Sequence, residues 1–159
     1  MKNCIEEFYS AFAVQDGERM ANCYHNDVVF EDPAFGKLKG QRASAMWKML
    51  CESQKGKGFE LVYSDVKISN EKGSANWEAK YVFSKTGRKV HNKISAKFEL
   101  KEGKIIKHID SFDLYQWSIR AFGLKGRLMG WTGFFKNKLQ AQTNVMLDKY
   151  MKRQQEAIE

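Results

Sequence analysis

Apolar residues recur along this chain in two rhythms, one of helices and one of strands. Ile5, Phe8, Tyr9 and Phe12 repeat at helical spacing, and Asp16-Gly17 breaks the pattern before a second helix that holds Met20, Cys23 and Tyr24. A short strand ends near Asp32, the stretch Phe35-Gly36-Lys37-Leu38-Lys39-Gly40 reads as a loop, and Ala43, Met46, Trp47, Leu50 and Cys51 restore a helical stripe. The period then changes to two. Strands are predicted over 58–69, 73–84, 88–101 and 104–114, separated by Asn70-Glu71-Lys72-Gly73, Thr86-Gly87 and Glu102-Gly103, turns short enough to require antiparallel hairpins. Beyond them, Trp117, Ala121, Phe122 and Leu124 predict a helix interrupted by Gly123, Gly126 and Gly130, and a longer helix runs from about Phe134 to Gln154.

Three polar intrusions stand out in the apolar rows. Alternate side chains of a strand share a face, so Val28, Phe30 and Asp32 point one way and place a carboxylate at the end of an apolar row. Pro33, the single proline of the chain, follows and holds Asp32 in extended geometry. A turn-forming Asp-Pro is the plainer reading and a catalytic carboxylate the sharper one. Ala75, Trp77, Ala79, Tyr81 and Phe83 form an uninterrupted row in the next strand but one, whereas Val90, Asn92, Ile94, Ala96, Phe98 and Leu100 include an amide. In the last strand Ile106, His108, Asp110 and Phe112 share a face, which sets two ionisable groups between large apolar neighbours. A buried charge is costly unless paired, so these groups should be hydrogen-bonded, neutral, or lining a cavity.

Composition narrows the class. A chain of 159 residues with 11 Phe, 6 Tyr and 4 Trp fits one globular domain with one core and one pocket. No apolar run reaches the roughly 20 residues of a membrane span, and residues 1–7 lack a secretory pattern, so a cytoplasmic protein is expected. Cys4, Cys23 and Cys51 sit in helical apolar patterns without metal-ligand spacing, which predicts buried free thiols. Of the net charge of +8, residues 115–159 supply +5, from eight Lys or Arg against three Asp or Glu. A basic, aromatic tail can meet a membrane surface, but packing over the domain or against a second copy is the favoured expectation. Nucleic acid is disfavoured, because no RNA-recognition, zinc-finger or helix-turn-helix pattern is present.

Three helices with an early strand, followed by a four-stranded meander, resemble the nuclear transport factor 2-like superfamily. Tyr24-x-x-Asp27-Val28-x-Phe30-x-Asp32-Pro33-x-Phe35-Gly36 is similar to the segment of ketosteroid isomerases and SnoaL-like polyketide cyclases that ends the second helix and begins the sheet. The resemblance implies an α+β fold over residues 1–114: a cone-shaped, curved, antiparallel-rich sheet packed against three N-terminal helices, a cystatin-like roll. Residues 115–159 form an additional C-terminal helical segment expected to pack on the same domain. The resemblance also implies that Asp32 matches the isomerase general base and that His108-x-Asp110 lies on the strand where SnoaL-like cyclases hold an acid-base aspartate. It implies a homodimer paired through the outer face of the sheet. The oxyanion donors of ketosteroid isomerases, a first-helix tyrosine and a protonated strand aspartate, have no counterpart: the matching positions are Phe8 and Ser95 or Ala96.

These readings define a candidate site. Asp32, Asp110 and His108 are the candidate catalytic groups, and Asn92, Tyr24, Trp47, Trp77, Tyr81 and Phe98 the candidate substrate-binding groups. A desolvated carboxylate has a raised pKa and can move a proton beside a carbonyl, with Asn92 or His108 stabilising the oxyanion. That suits a cofactor-independent isomerase, cyclase or dehydratase acting on a small apolar carbonyl or hydroxyl compound. A carrier, sensor or assembly domain using the same cavity without turnover is the alternative. No cofactor is expected, since the glycines lack nucleotide-binding spacing, and no metal site, since no motif brings His25 or His91 to His108-x-Asp110.

Overall fold

The computed structural model describes residues 2–159. Asn3 starts the first helix: its side chain accepts the N–H groups of Ile5 and Glu6, and Glu6 reaches back to the Asn3 N–H, so exposed helix-end donors are satisfied reciprocally. This helix, α1 (Cys4–Ala13), turns Ile5, Phe8, Tyr9 and Phe12 inward. α2 (Gly17–Asn22) is capped by Asp16, and α3 (Gln41–Gln54) follows a tight turn at Gly40. Gly17 permits the close approach of α2 to α3, because a Cβ there would meet the backbone of Lys48.

The strands are β1 (Tyr24–Asp32), β2 (Gly36–Lys39), β3 (Glu60–Ser69), β4 (Lys72–Phe83), β5 (Arg88–Lys101) and β6 (Lys104–Ser111). They form one curved, unclosed sheet in the order β2-β1-β6-β5-β4-β3, antiparallel throughout except for the β1–β6 pair. Strand β2 corrects the sequence expectation of a loop over 35–40. Gly36, at φ 73°, turns the chain back on β1, and Leu38 pairs with Phe30 inside the core. A four-residue strand with one buried side chain leaves no alternation to read.

A second correction concerns β6. Glu99 pairs with Lys107 and Leu100 with Ile105, which leaves Ile106 as the extra residue of a β-bulge. The face therefore switches, and Ile105 rather than Ile106 is buried with His108 and Asp110. The concave face receives α1 and α3, with Phe8, Trp47, Phe30 and Trp77 in one core. Truncating a buried ring such as Phe8 to alanine should cost about 3–5 kcal/mol. The convex face is polar instead, with Lys80, Lys93, Lys97 and Lys107 exposed and His91 bonded to Glu78 at 2.7 Å.

The C-terminal segment consists of α4 (Leu114–Phe122), α5 (Leu124–Met129) and α6 (Gly133–Ile158). Leu147 and Tyr150 of α6 join the main core, while Trp117, Ala121 and Leu139 enclose Val90 in a smaller cluster. α6 also holds the loop after β1 by its backbone. Gln140 donates to the Pro33 carbonyl (3.1 Å), Thr143 to that of Ala34 (2.9 Å) and Asn144 to that of Phe35 (2.9 Å). α4 and α6 pack on the domain through these contacts, whereas Leu124 and Leu128 of α5, Trp131 in the following turn and Phe134 at the start of α6 are exposed. No helix among the described residues is long and apolar enough to cross a membrane.

Candidate functional site

Between the concave face and the helices lies a cavity of about 270 Å³, at the small end of ligand sites. Asp32, Asn92 and Asp110 reach it, and Trp47, Trp77 and Tyr81 wall it. Parallel pairing of β1 with β6 matches Phe30 to His108 and Glu31 to Ile109, which brings Asp32 alongside Asp110. Both carboxylates thus come from strand positions that alternation assigns to the inside.

Asp32 performs two tasks. Its Oδ1 accepts the N–H groups of Ala34 (2.9 Å) and Phe35 (2.6 Å), forming the turn that leads into β2. Its Oδ2 has no hydrogen-bond partner among the described residues. Burial pushes the Asp32 carboxyl up to about 7; the two backbone N–H groups oppose that rise and the neighbouring Asp110 adds to it. A carboxyl in this range can both take and return a proton near neutral pH.

Asp110 is held from below by a chain of three side chains. The indole of Trp47 donates to the Tyr24 hydroxyl (2.7 Å), Tyr24 lies 2.7 Å from His108 Nδ1, and His108 Nε2 lies 2.9 Å from Asp110 Oδ1. The indole of Trp77 donates to the same oxygen (3.3 Å). An indole N–H only donates, so the Tyr24 oxygen accepts from Trp47 and its own proton goes to Nδ1 of His108. In that arrangement Nδ1 of His108 accepts and its Nε2–H donates to Asp110. Oδ2 of Asp110 has no hydrogen-bond partner among the described residues.

His108, Tyr24 and Phe98 do not line the cavity. The imidazole is fully buried between the rings of Phe8, Phe30, Trp47 and Phe98, with Phe98 4.4 Å away between centroids. His108 touches nothing that enters the cavity and is a positioning residue for Asp110. Asn92 is the reverse case. It is buried to 7% exposure, lines the cavity, and its amide has no hydrogen-bond partner among the described residues.

Tyr81 offers more than an apolar wall. Its oxygen accepts the indole N–H of Trp117 (2.8 Å), and its own O–H has no acceptor among the described residues. The phenol is pushed above its ordinary range by burial, with the Trp117 bond opposing and Asp32 adding, so it stays protonated as a donor. Sequence reasoning missed Trp117, as it missed Leu139, Thr143 and Met146, which complete the wall from the C-terminal segment. The sequence predicted the helices that carry them but held no information about which cavity they meet.

The cysteine thiols are free. Burial pushes Cys23 up to about 12 and Cys51 up to about 11, which makes both poor nucleophiles. Among the described residues no group of three or more His, Cys, Asp or Glu is arranged to hold a metal ion.

A family model described as the SnoaL-like domain matches residues 5–108, and the chain belongs to that family. Solved structures agree on the fold. TerC, co-crystallized with polyporic acid, superposes with a TM-score of 0.62 at 16% identity, covering 74% of this chain and 95% of its own. A Mycobacterium tuberculosis LEH-like epoxide hydrolase gives 0.57 at 23% identity, with 80% and 88% covered. A protein from Catenulispora acidiphila with a ketosteroid isomerase-like fold, in complex with trimethylamine, gives 0.62 at 10% identity, with 81% and 96% covered. No curated protein sequence matches the chain.

Proposed function

We propose that this protein is a cofactor-independent proton-transfer enzyme acting on a compact, hydrophobic carbonyl or hydroxyl compound. The observation that carries the reading is the pairing of Asp32 with Asp110 in one small cavity beside two unspent donors, the Asn92 amide and the Tyr81 hydroxyl. Asp32, with its carboxyl near 7, removes a proton from the carbon beside the substrate carbonyl, and the electron pair moves onto the carbonyl oxygen. Asn92 and Tyr81 stabilise that oxyanion, in place of the isomerase donors that have no counterpart at Phe8 and at Ser95 or Ala96. The proton returns from Asp32 to a different carbon in an isomerisation, or to a departing hydroxyl in a dehydration. Asp110, oriented by His108, holds the second polar corner of the ligand. The fold relatives include an epoxide hydrolase, which is compatible with acid-base work in this cavity but selects no reaction.

A non-catalytic binding domain is the second reading. It is favoured by one observation, that Asp32 Oδ1 is already committed to the turn over Ala34 and Phe35.

Proton NMR in deuterated water, with a panel of apolar enones and ketones, separates the two. Deuterium uptake by wild type that disappears in Asp32→Asn supports the enzyme and its base. Uptake that survives in the variant transfers the role to Asp110. Ligand line-broadening with no uptake across the panel favours the binding reading.

A further inference from the structure

The surface feature with no role so far is the tip formed by α5 and the turn into α6. Gly126 and Gly130 face α4 so closely that a Cβ on either would collide with Ser118, whose hydroxyl donates to the Tyr115 and Gly126 carbonyls. With its glycine side turned inward, α5 has only one way to point its large side chains. Leu124 is 72% exposed, Leu128 66%, Trp131 72% and Phe134 64%. The Trp131 N–H donates to the Leu128 carbonyl (3.2 Å), so its single polar atom is spent within the tip and the ring is what faces outward.

Within the segment that forms this tip the charges all have one sign. Lys125, Arg127, Lys136 and Lys138 are exposed beside it, and no Asp or Glu occurs from Leu114 to Leu147. We infer that this tip is a docking surface for a bilayer bearing anionic lipids, with Trp131, Leu128, Leu124 and Phe134 entering the headgroup boundary and the four cations meeting the lipid phosphates and carboxylates. Amphipathic apolar rings beside lysine and arginine are the pattern that settles at such a boundary. A second copy of the chain is the poorer occupant, because a two-fold contact through the tip would set four cations against the same four with no carboxylate from this segment to separate them. The proposal stands apart from the reaction assigned to the cavity.

The test is flotation of the full chain with vesicles of phosphatidylcholine containing about one third phosphatidylserine, and with phosphatidylcholine alone. Wild type should float with the anionic vesicles, bind the zwitterionic ones at least tenfold less, and release in high salt. Trp131→Ser combined with Phe134→Ser should reduce anionic binding at least tenfold. These exposed positions make no core contact, and an unchanged melting curve confirms the fold. Lys93→Gln with Lys97→Gln, on the convex face of the sheet, should bind as wild type does. Absence of binding to anionic vesicles overturns the proposal. So does equal binding by the tip variant, or a loss of binding in the convex-face variant that matches it. A vesicle-free dimer that Trp131→Ser and Phe134→Ser dissolve would assign the tip to a second copy instead.

Discussion

The hydroxyl of Tyr24 and Nδ1 of His108, 84 positions apart in sequence, lie 2.7 Å from each other with no water-accessible surface on the imidazole. This bond decides the protonation pattern of everything above it. A phenol that accepts from Trp47 has its proton left for Nδ1, which fixes the Nε2–H on the side of Asp110. Tyr24→Phe removes that constraint while keeping the ring. Unfolding free energy should fall by about 1–3 kcal/mol, because the Trp47 N–H and His108 Nδ1 lose their partner in a dry site. Nitrogen NMR of the imidazole should show the Nε2–H tautomer in wild type and a changed tautomer balance in the variant.

The Asp32 carboxyl, lifted to about 7, makes stability depend on pH in an unusual direction. Between about pH 4 and 7 the folded state holds a proton that the unfolded chain has released, so this group's contribution to stability declines as pH rises. The decline amounts to no more than about 4 kcal/mol and is smaller where water enters the cavity. Asp32→Asn keeps the turn acceptor and removes the titration. Its melting temperature relative to wild type should be higher at pH 8 than at pH 5, measured by scanning calorimetry.

Turnover should show the opposite dependence. A base must be ionised, so kcat/KM should rise with pH through a midpoint near 7, and that limb should be absent from any residual activity of Asp32→Asn. A pH profile over the range in which the protein stays folded checks this.

Tyr81→Phe deletes the free O–H and also the acceptor of the Trp117 N–H. As an oxyanion donor, Tyr81 should matter to kcat by about 10²–10³-fold, with little change in KM. Trp117→Phe serves as the control. It disturbs the same contact but leaves the Tyr81 proton in the cavity, so its kcat should fall far less.

Asn144→Ala with Thr143→Val releases the carbonyls of Phe35 and Ala34. The N–H groups of these same two residues bond Asp32, so their amide hydrogen exchange should quicken while that of β5 stays unchanged. A stability loss of about 1–3 kcal/mol should accompany it.

Much of this arrangement was legible in the chain. Period-two alternation located β3 to β6 and put Asn92, His108 and Asp110 on the inner face, because a half-buried strand writes its register into its apolar residues. Asp32 stood out for the same reason: it makes the turn, and its carboxylate also reaches the cavity. Alternation could not tell a side chain that lines the cavity from one sealed beneath it. That difference separates Asp110 from His108 and Asn92 from Phe98, and it depends on how far each ring reaches across the core. Ile106 was misplaced because a bulge adds one residue without any compositional mark. The partnership of Trp117 with Tyr81 joins segments whose contact no local pattern encodes.

The three bonds from α6 to the carbonyls of Pro33, Ala34 and Phe35 span 107 and 109 positions of sequence, and the family match ends at residue 108, ahead of all three donors. The acid-bearing turn is thus a composite part, its strand inside the span that the family model matches and its brace supplied from beyond that span. Grafting Asp32 and its strand into a relative would transplant the carboxylate without its brace. Drift in α6 at Gln140 and Asn144, which do not line the cavity, would retune that carboxylate from outside the boundaries by which the family is recognised.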